Sequence, residues 1–269
     1  MLLHRFFIQN DSVWEVGAFQ PNTGIEIYEV IRVIKRVPLF LEDHLKRFFH
    51  SAWLCHLDIP VSEEIISSRL SRLIDENNVE EGNIRFSYCF RPAGNFQAYF
   101  IPHHYPGEAD VQNGIVCGIL PAVRNDPNAK VVQANLREAA NQMMEEKGYY
   151  EILLVNQQPA FTEGSRSNLF FLQKGTFVTS PSGDVLPGVT RQKVLDLLHK
   201  MDKKVTKKNL LPEELIYVEA AFITGTSPKV LPIRKIEGYS FKTDLPEIRE
   251  LIDQYDRLIE QYIEIRKTG

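Results

Sequence analysis

Cysteine is scarce in this chain, as are long apolar runs and any excess of basic charge. Three cysteines, Cys55, Cys89 and Cys117, stand far apart in 269 residues and are odd in number. Such scattered thiols match neither a disulfide framework nor the paired spacing of a zinc site, and they favour a reducing compartment. The sequence therefore predicts a cytoplasmic protein without a bound metal.

Membrane and nucleic-acid functions find no support in the composition. No apolar run reaches the roughly 18 residues of a membrane helix, and the N-terminal segment is too broken by charge for a signal peptide. The net charge is -4 with both signs mixed, so no basic surface indicates nucleic acid. With 43% hydrophobic and 25% charged residues, the chain has the composition of an ordinary globular protein.

The first third of the chain alternates strand and helix patterns. The Ile- and Val-rich stretch 25–41 predicts strand, turn and strand, and residues 83–102 predict a strand pair around a turn at 92–95. Helices are predicted at 42–57 and 62–77. The apolar stripe expected for the first helix comprises Leu45, Phe48, Phe49, Ala52 and Trp53. A polar segment with Pro and Gly then predicts a linker at 107–112, which would close a smaller N-terminal α+β domain of residues 1–106.

The remaining residues, 113–269, predict a larger C-terminal domain. A helix is expected to end at Gly148, because glycine is common directly after the last residue of a helix. A strand meander follows this helix. A helix is also expected at 212–218. The closing helix carries an apolar stripe at helical spacing. Its members are Ile248, Leu251, Ile252, Tyr255, Leu258, Ile259 and Tyr262. The mixture predicts an α+β architecture in two domains.

Three polar corners interrupt the apolar segments of this second part. They are "TEGSRSN" (162–168), "LPGVTR" (186–191) and "TGTSP" (224–228). The second corner opens a helix, whose free backbone N–H groups and positive dipole end suit a phosphate. Each corner by itself is also typical of a plain turn, and an isolated lysine such as Lys130 is typical of a solvated surface. Local composition leaves both interpretations open.

The order of these features resembles a known family. Lys130, then Gly148 and Glu151, then the three corners follow one another as in the fold-type IV pyridoxal phosphate enzymes. This family includes branched-chain and D-amino-acid aminotransferases and aminodeoxychorismate lyase. The resemblance covers residues 24–240 and includes "IYEVIRV" and "DHLKRF" in the first part. It implies a two-domain, D-amino-acid aminotransferase-like α/β (α+β) fold with a C-terminal pseudo-barrel.

The resemblance also implies roles for individual residues. Lys130 would form the Schiff base with pyridoxal 5'-phosphate and move the substrate proton, and Glu163 would face the pyridine nitrogen. Arg47 would pair with the phosphate. Further phosphate contacts would come from Val189, Thr190, Gly225 and Thr226. The substrate side would be lined by Tyr28, Glu29 and Arg85.

The expected activity is transfer of an amino group from a branched-chain-like or D-amino acid to a 2-oxo acid, by a homodimer. One alternative is 4-amino-4-deoxychorismate lyase, which would release 4-aminobenzoate and pyruvate. Val30 stands where lyases often carry a threonine, which counts against that alternative. A second alternative is a binding protein that keeps the fold of these enzymes and has lost their activity. The sequence leaves open the amino acid, its stereochemistry, any assembly beyond a dimer and the role of Arg166.

Overall fold

The computed structural model describes residues 2–91, 94–124 and 126–268, and the chain divides into two compact units. The first unit comprises Met1–His104, Ala129–Val132 and Ile259–Gly269. The second comprises Tyr105–Asn128 and Gln133–Leu258. Ala129–Val132 belongs with the first unit because Val131 forms a β-bridge with Ile27. The segment that contains Lys130 thus belongs to a different unit from the residues that precede and follow it in the chain, which the sequence pattern did not indicate.

The first unit is built on a six-stranded sheet with two helices. Its strand order is β2-β1-β6-β5-β3-β4. The strands are β1 (Leu3–Gln9), β2 (Ser12–Glu15), β3 (Glu26–Ile34), β4 (Val37–Pro38), β5 (Glu81–Cys89) and β6 (Asn95–Ile101). The helices are α1 (Leu41–Leu54) and α2 (Glu63–Asn77). Both predicted helices are confirmed, although α1 ends three residues early. In the predicted turn at 92–95, Pro92 and Ala93 lie outside the described residues.

The two faces of this sheet differ in character. Side chains alternate along a strand, and the odd-numbered residues of β3 enter a core with α1 and α2. Representative members of this core are Ile27, Ile31, Phe48, Leu70 and Phe86. The even-numbered residues of β3 lie on the opposite face, where Val30 is opposite Arg85 of β5. Trp53, expected on the buried stripe of α1, is 69% exposed and stacks on His50. That part of the prediction is wrong, because the buried face of α1 is centred on His44, Phe48 and Ser51, on the other side of the helix from Trp53.

The second unit is built on a nine-stranded mixed sheet. Its order is β12-β11-β10-β13-β14-β7-β8-β9, with β15 paired to β14. The strands are β7 (Ile115–Pro121), β8 (Glu151–Val155), β9 (Phe161–Gly164), β10 (Asn168–Gln173), β11 (Thr176–Thr179), β12 (Val205–Lys207), β13 (Ala220–Gly225), β14 (Lys229–Ile236) and β15 (Tyr239–Ser240). The helices are α3 (Glu108–Asn113), α4 (Ala134–Lys147), α5 (Val189–Lys200) and α6 (Pro246–Thr268), of which the part from Ile259 onward is counted with the first unit. Within the described residues, no helix combines the length and the apolar content needed to cross a membrane.

Several local expectations for this unit are met. α4 ends at Gly148, which has a left-handed φ of 68°, a conformation that glycine adopts without steric cost. In α6, the predicted stripe positions Ile248, Leu251, Tyr255 and Ile259 are buried. Residues 212–217 form a 3-10 turn in place of the α-helix expected there.

The segment 107–112, expected to be a linker, carries α3 instead. The Asp110 carboxylate accepts a hydrogen bond from the Gly107 N–H at 2.9 Å, which caps the first turn. Arg249 of α6 donates to the carbonyls of Val111 and Gln112 at 2.8 and 2.7 Å. The polar residues and the glycine therefore cap and anchor a short helix.

Candidate active site

Lys130 is fixed in the first unit by its backbone. Its N–H donates to the Ser51 hydroxyl at 3.1 Å, and its carbonyl accepts from the Tyr28 N–H at 3.3 Å. The half-buried side chain places Nζ 4.9 Å from the centroid of the Tyr28 ring. Because a polar backbone contact and an aromatic face both hold it, Lys130 differs from the solvated surface lysine that local composition would predict.

Arg47 is held by Glu29 on the core face of β3. Arg47 Nε donates to Glu29 Oε1 at 2.7 Å, and Nη2 donates to Oε2 at 2.6 Å. His44 Nδ1 lies 2.9 Å from the same Oε2. Burial of Glu29 opposes its ionisation, but the Arg47 charge and hydrogen bonds outweigh burial and lower the pKa of Glu29 to about 2. The pair is therefore ionised, and its planar fork geometry orients the guanidinium.

This pairing bears on two sequence-based expectations. Glu29, expected on the substrate side, is fully buried and lies on the helix-covered face of the sheet. Its carboxylate orients Arg47, and a direct substrate contact stays a prediction. Arg47 is 8% exposed, and its phosphate contact likewise stays a prediction. Both motifs were visible in the sequence, but nothing in the sequence showed that β3 and α1 bring them into contact.

Tyr28 and Arg85 meet on the opposite face of the same sheet. The Arg85 Cζ lies 4.8 Å from the Tyr28 ring centroid, so the ring carries both Arg85 and Lys130. Arg85 also donates to the Tyr99 hydroxyl at 2.9 Å and to Glu26 Oε2 at 2.7 Å. Sequence reasoning missed Glu26. The signal available for it was its spacing, two residues before Tyr28 on the same strand face.

In the second unit, Glu163 is almost completely buried, and its carboxylate accepts hydrogen bonds at both oxygens. Arg124 Nε donates to Glu163 Oε1 at 2.8 Å, and the Leu186 N–H donates to Oε2 at 3.2 Å. Arg124 also donates to the Ser165 carbonyl at 3.2 Å. Sequence reasoning missed Arg124, which lies in a loop of no distinctive pattern. The carboxylate is thus held in one orientation as an acceptor.

The serines of the first corner are explained by a second buried carboxylate, Glu151. Its Oε1 accepts from the Ser165 hydroxyl at 2.7 Å and its Oε2 from the Ser167 hydroxyl at 2.8 Å. Gly164 lies against the same groups, and a Cβ there would be 3.1 Å from the Glu151 carboxylate. Arg166 directs its side chain to Asn141 of α4. The hydrogen bonds of the two serines to Glu151 therefore fix the backbone of this corner, and with it the position of Glu163.

Asn168 brings the three polar corners together. It is the last residue of the first corner, and its Nδ2 donates to the Leu186 carbonyl of the second at 3.0 Å. It is also paired across the sheet with Thr224, where the third corner begins. Gly188 must lack a side chain, because a Cβ at that position would overlap Asn168 Oδ1.

These corners offer donors that fit a phosphate ester. Gly188 caps α5 without a side-chain hydrogen bond, so the first-turn N–H groups, including those of Val189 and Thr190, lack helical acceptors. The helix dipole adds positive potential there. Thr226 follows Gly225 directly at the end of β13. Among the described residues, the buried Thr224 hydroxyl finds no hydrogen-bond partner, as expected beside a polar ligand.

Comparison with known proteins identifies the family. The family model described as amino-transferase class IV matches residues 26–236. The chain is 27% identical over 238 residues to a D-alanine aminotransferase of Bacillus licheniformis, covering 83% of each chain. It is 27% identical over 249 residues to a branched-chain-amino-acid aminotransferase of Pseudomonas aeruginosa, covering 85% of this chain and 81% of the other.

Solved structures show the same fold. The branched-chain amino acid aminotransferase of Escherichia coli superposes with a TM-score of 0.86 at 19% identity, covering 96% of this chain and 95% of the other. The α/β architecture is thus that of fold-type IV enzymes, and class IV aminotransferases use pyridoxal phosphate. The chain belongs to the class IV aminotransferase family.

Proposed function

We propose that this protein transfers the amino group of an amino acid to a 2-oxo acid with pyridoxal phosphate held on Lys130. The observation that carries the proposal is the setting of Lys130, whose backbone is bonded to Ser51 and Tyr28 and whose Nζ lies over the Tyr28 ring. Family membership supports the reaction class. The branched-chain and D-alanine enzymes it is similar to suggest an amino acid of one of these two types.

Lys130 would act as both anchor and proton carrier. When bound, pyridoxal phosphate supplies an electron sink for the pair left at the substrate Cα. Lys130 Nζ would take the proton from Cα of the amino acid. In the second half of the exchange it would deliver a proton to Cα of the 2-oxo acid. Such transfer by a positioned base is worth about 10²- to 10⁴-fold in rate. Because the backbone of Lys130 is fixed, its amine can reach only those positions that lie within the length of its side chain.

Glu163 would supply the negative charge opposite the pyridine nitrogen. Its carboxylate is buried and held by Arg124 and the Leu186 N–H. A fixed carboxylate in a low-dielectric setting needs little reorganisation when charge develops on the ring. The Glu151 and serine contacts of the corner keep it in place.

The phosphate would be held by backbone groups and one arginine. We assign to it the N–H groups of Val189 and Thr190, the Gly225–Thr226 corner and the Arg47 guanidinium. Arg47 carries its charge in a fixed orientation because Glu29 binds one edge of it. Tyr28 and Arg85 would line the substrate side. We further propose that the protein is a homodimer and that it is cytoplasmic. The three cysteines, all free thiols, agree with a cytoplasmic location.

The test is the absorbance spectrum of the purified protein with bound cofactor, before and after single amino acids are added. We expect a visible band that a productive amino acid converts to the near-ultraviolet band of the pyridoxamine form. Lys130→Ala should abolish both the visible band and the conversion. Lys203→Ala removes a half-buried lysine that pairs with Glu250 at 3.6 Å and should leave both intact.

Three outcomes would contradict the proposal. An unchanged band in Lys130→Ala would refute the lysine assignment. A band that no amino acid moves, together with pyruvate release from aminodeoxychorismate, would establish the lyase. A protein that takes up no cofactor would be the inactive relative considered from the sequence.

A further inference from the structure

Glu26 and Arg85 form a nearly buried ion pair on the face of β3 that carries Tyr28. Arg85 Nη2 donates to Glu26 Oε2 at 2.7 Å, and Nη1 donates to Oε1 at 3.1 Å. Their side chains are 10% and 18% exposed, respectively. Asn22 Nδ2 donates to Glu26 Oε1 at 3.3 Å, and Tyr99 accepts from Arg85. The pair is thus two-pronged and embedded in a polar network.

Both members of the pair are charged. Burial opposes ionisation of Glu26, but hydrogen bonds and charge from Arg85 outweigh it, so the pKa of Glu26 is lowered. Burial also opposes the charge on Arg85, and its contacts with Glu26 reverse this, so the pKa of Arg85 is raised. The charges of Glu26 and Arg85 therefore offset each other, and the pair as a whole is neutral.

The pair lies one aromatic ring away from the amine of Lys130. The Arg85 Cζ and the Lys130 Nζ each lie within 5 Å of the Tyr28 ring centroid. A small amino acid that reacts at the Lys130 amine can therefore extend its side chain across or past this ring. Its outer end would then meet Arg85 together with the Glu26 carboxylate.

We propose that Glu26 determines substrate specificity by neutralising Arg85, so that the enzyme favours amino and 2-oxo acids with uncharged side chains over those with a second carboxylate. This inference rests on the proposed aminotransferase function. A second carboxylate would have to displace Glu26 from the guanidinium or approach Glu26 with like charge, and both are costly where water is scarce. Specificity of this kind depends on a repulsive element as well as an attractive one.

The test compares two acceptors, 2-oxoglutarate and 4-methyl-2-oxopentanoate, by their kcat/KM values. The wild-type protein should favour the second, monocarboxylic acceptor. Glu26→Gln frees the positive charge of Arg85 and should raise the ratio for 2-oxoglutarate by about tenfold or more, the effect of one charged hydrogen bond. Glu26→Asp keeps the charge and should keep the wild-type ratio.

Two further variants distinguish the effect of the Arg85 charge on the acceptor ratio from a non-specific effect of substitution. The double variant Glu26→Gln with Arg85→Gln removes both charges and should bring the ratio back toward the wild-type value. Glu15→Gln removes a carboxylate from an exposed pair with Arg5 on the same sheet and should not alter the ratio.

The outcomes distinguish this inference from the proposed function. A wild-type protein that already favours 2-oxoglutarate would overturn the specificity role without any variant. An unchanged ratio in a folded, active Glu26→Gln protein would overturn it as well, while the aminotransferase function would stand. Absence of transamination with every amino acid and both acceptors would instead defeat the proposed function on which the inference rests.

Discussion

Replacing Glu29 by glutamine should destabilise the first unit by about 3 kcal/mol at pH 7. The lowered pKa of Glu29 and the burial of its ion pair with Arg47 both lead to this value. Lowering the pKa of Glu29 from 4.5 to about 2 corresponds to about 3 kcal/mol at about 1.36 kcal/mol per unit. Independently, removing one partner of a buried ion pair costs about 3–5 kcal/mol, and the Arg47 side chain left behind is only 8% exposed.

The pH dependence gives a sharper form of the same prediction. The pKa of Glu29 is lower in the folded protein than in the unfolded chain, so its contribution is complete above pH 4.5 and is lost as the pH falls through about 2. The stability difference between wild type and Glu29→Gln should therefore fall from about 3 kcal/mol at pH 7 to about 1.5 kcal/mol near pH 3.

The assay is urea unfolding of the cofactor-free protein, followed by tryptophan fluorescence. The chain has two tryptophans, Trp14 and Trp53, and both belong to the first unit, so the signal reports the unit that contains Glu29. Glu15→Gln is the matched control, because its ion pair with Arg5 is exposed and such pairs contribute about 0–1 kcal/mol. A loss below 1 kcal/mol for Glu29→Gln, or a stability difference independent of pH, would show that the ionised Glu29–Arg47 pair does not stabilise the first unit as expected.

Two predictions concern the second unit. Gly188→Ala should weaken cofactor binding by about tenfold or more, because the new Cβ would overlap Asn168 Oδ1 and overpacking costs about 1–3 kcal/mol. Titration of cofactor-free protein with pyridoxal phosphate measures this, and Gly183→Ala, where a Cβ meets nothing within 4 Å, is the control. Glu163→Gln should slow the single-turnover conversion of the cofactor by about 10²- to 10³-fold, as measured by stopped-flow absorbance. A normal rate in a Glu163→Gln protein with bound cofactor would remove Glu163 from the mechanism.

The reaction class and the order of the site motifs along the chain follow from the amino-acid sequence alone. Lys130, the three polar corners and the "IYEV" and "HLKR" motifs lie along the chain in the family order. The family match confirms the family and the reaction class, and the roles of these residues stay predictions. Helix positions followed from apolar periodicity, since α2 and α4 end where the pattern predicts. Patterns of this kind are local, so one chain is enough to read them.

Which charged side chains pair with one another depends on the tertiary fold. Arg85 finds Glu26, 59 residues away, because β3 and β5 pair in one register. Arg124 lies 39 residues from Glu163, in a loop whose sequence shows no motif. Trp53 was placed in the core because helical spacing identifies a stripe without showing which edge of the stripe turns toward solvent. Periodicity specifies the face of an element, whereas register and packing specify its partners.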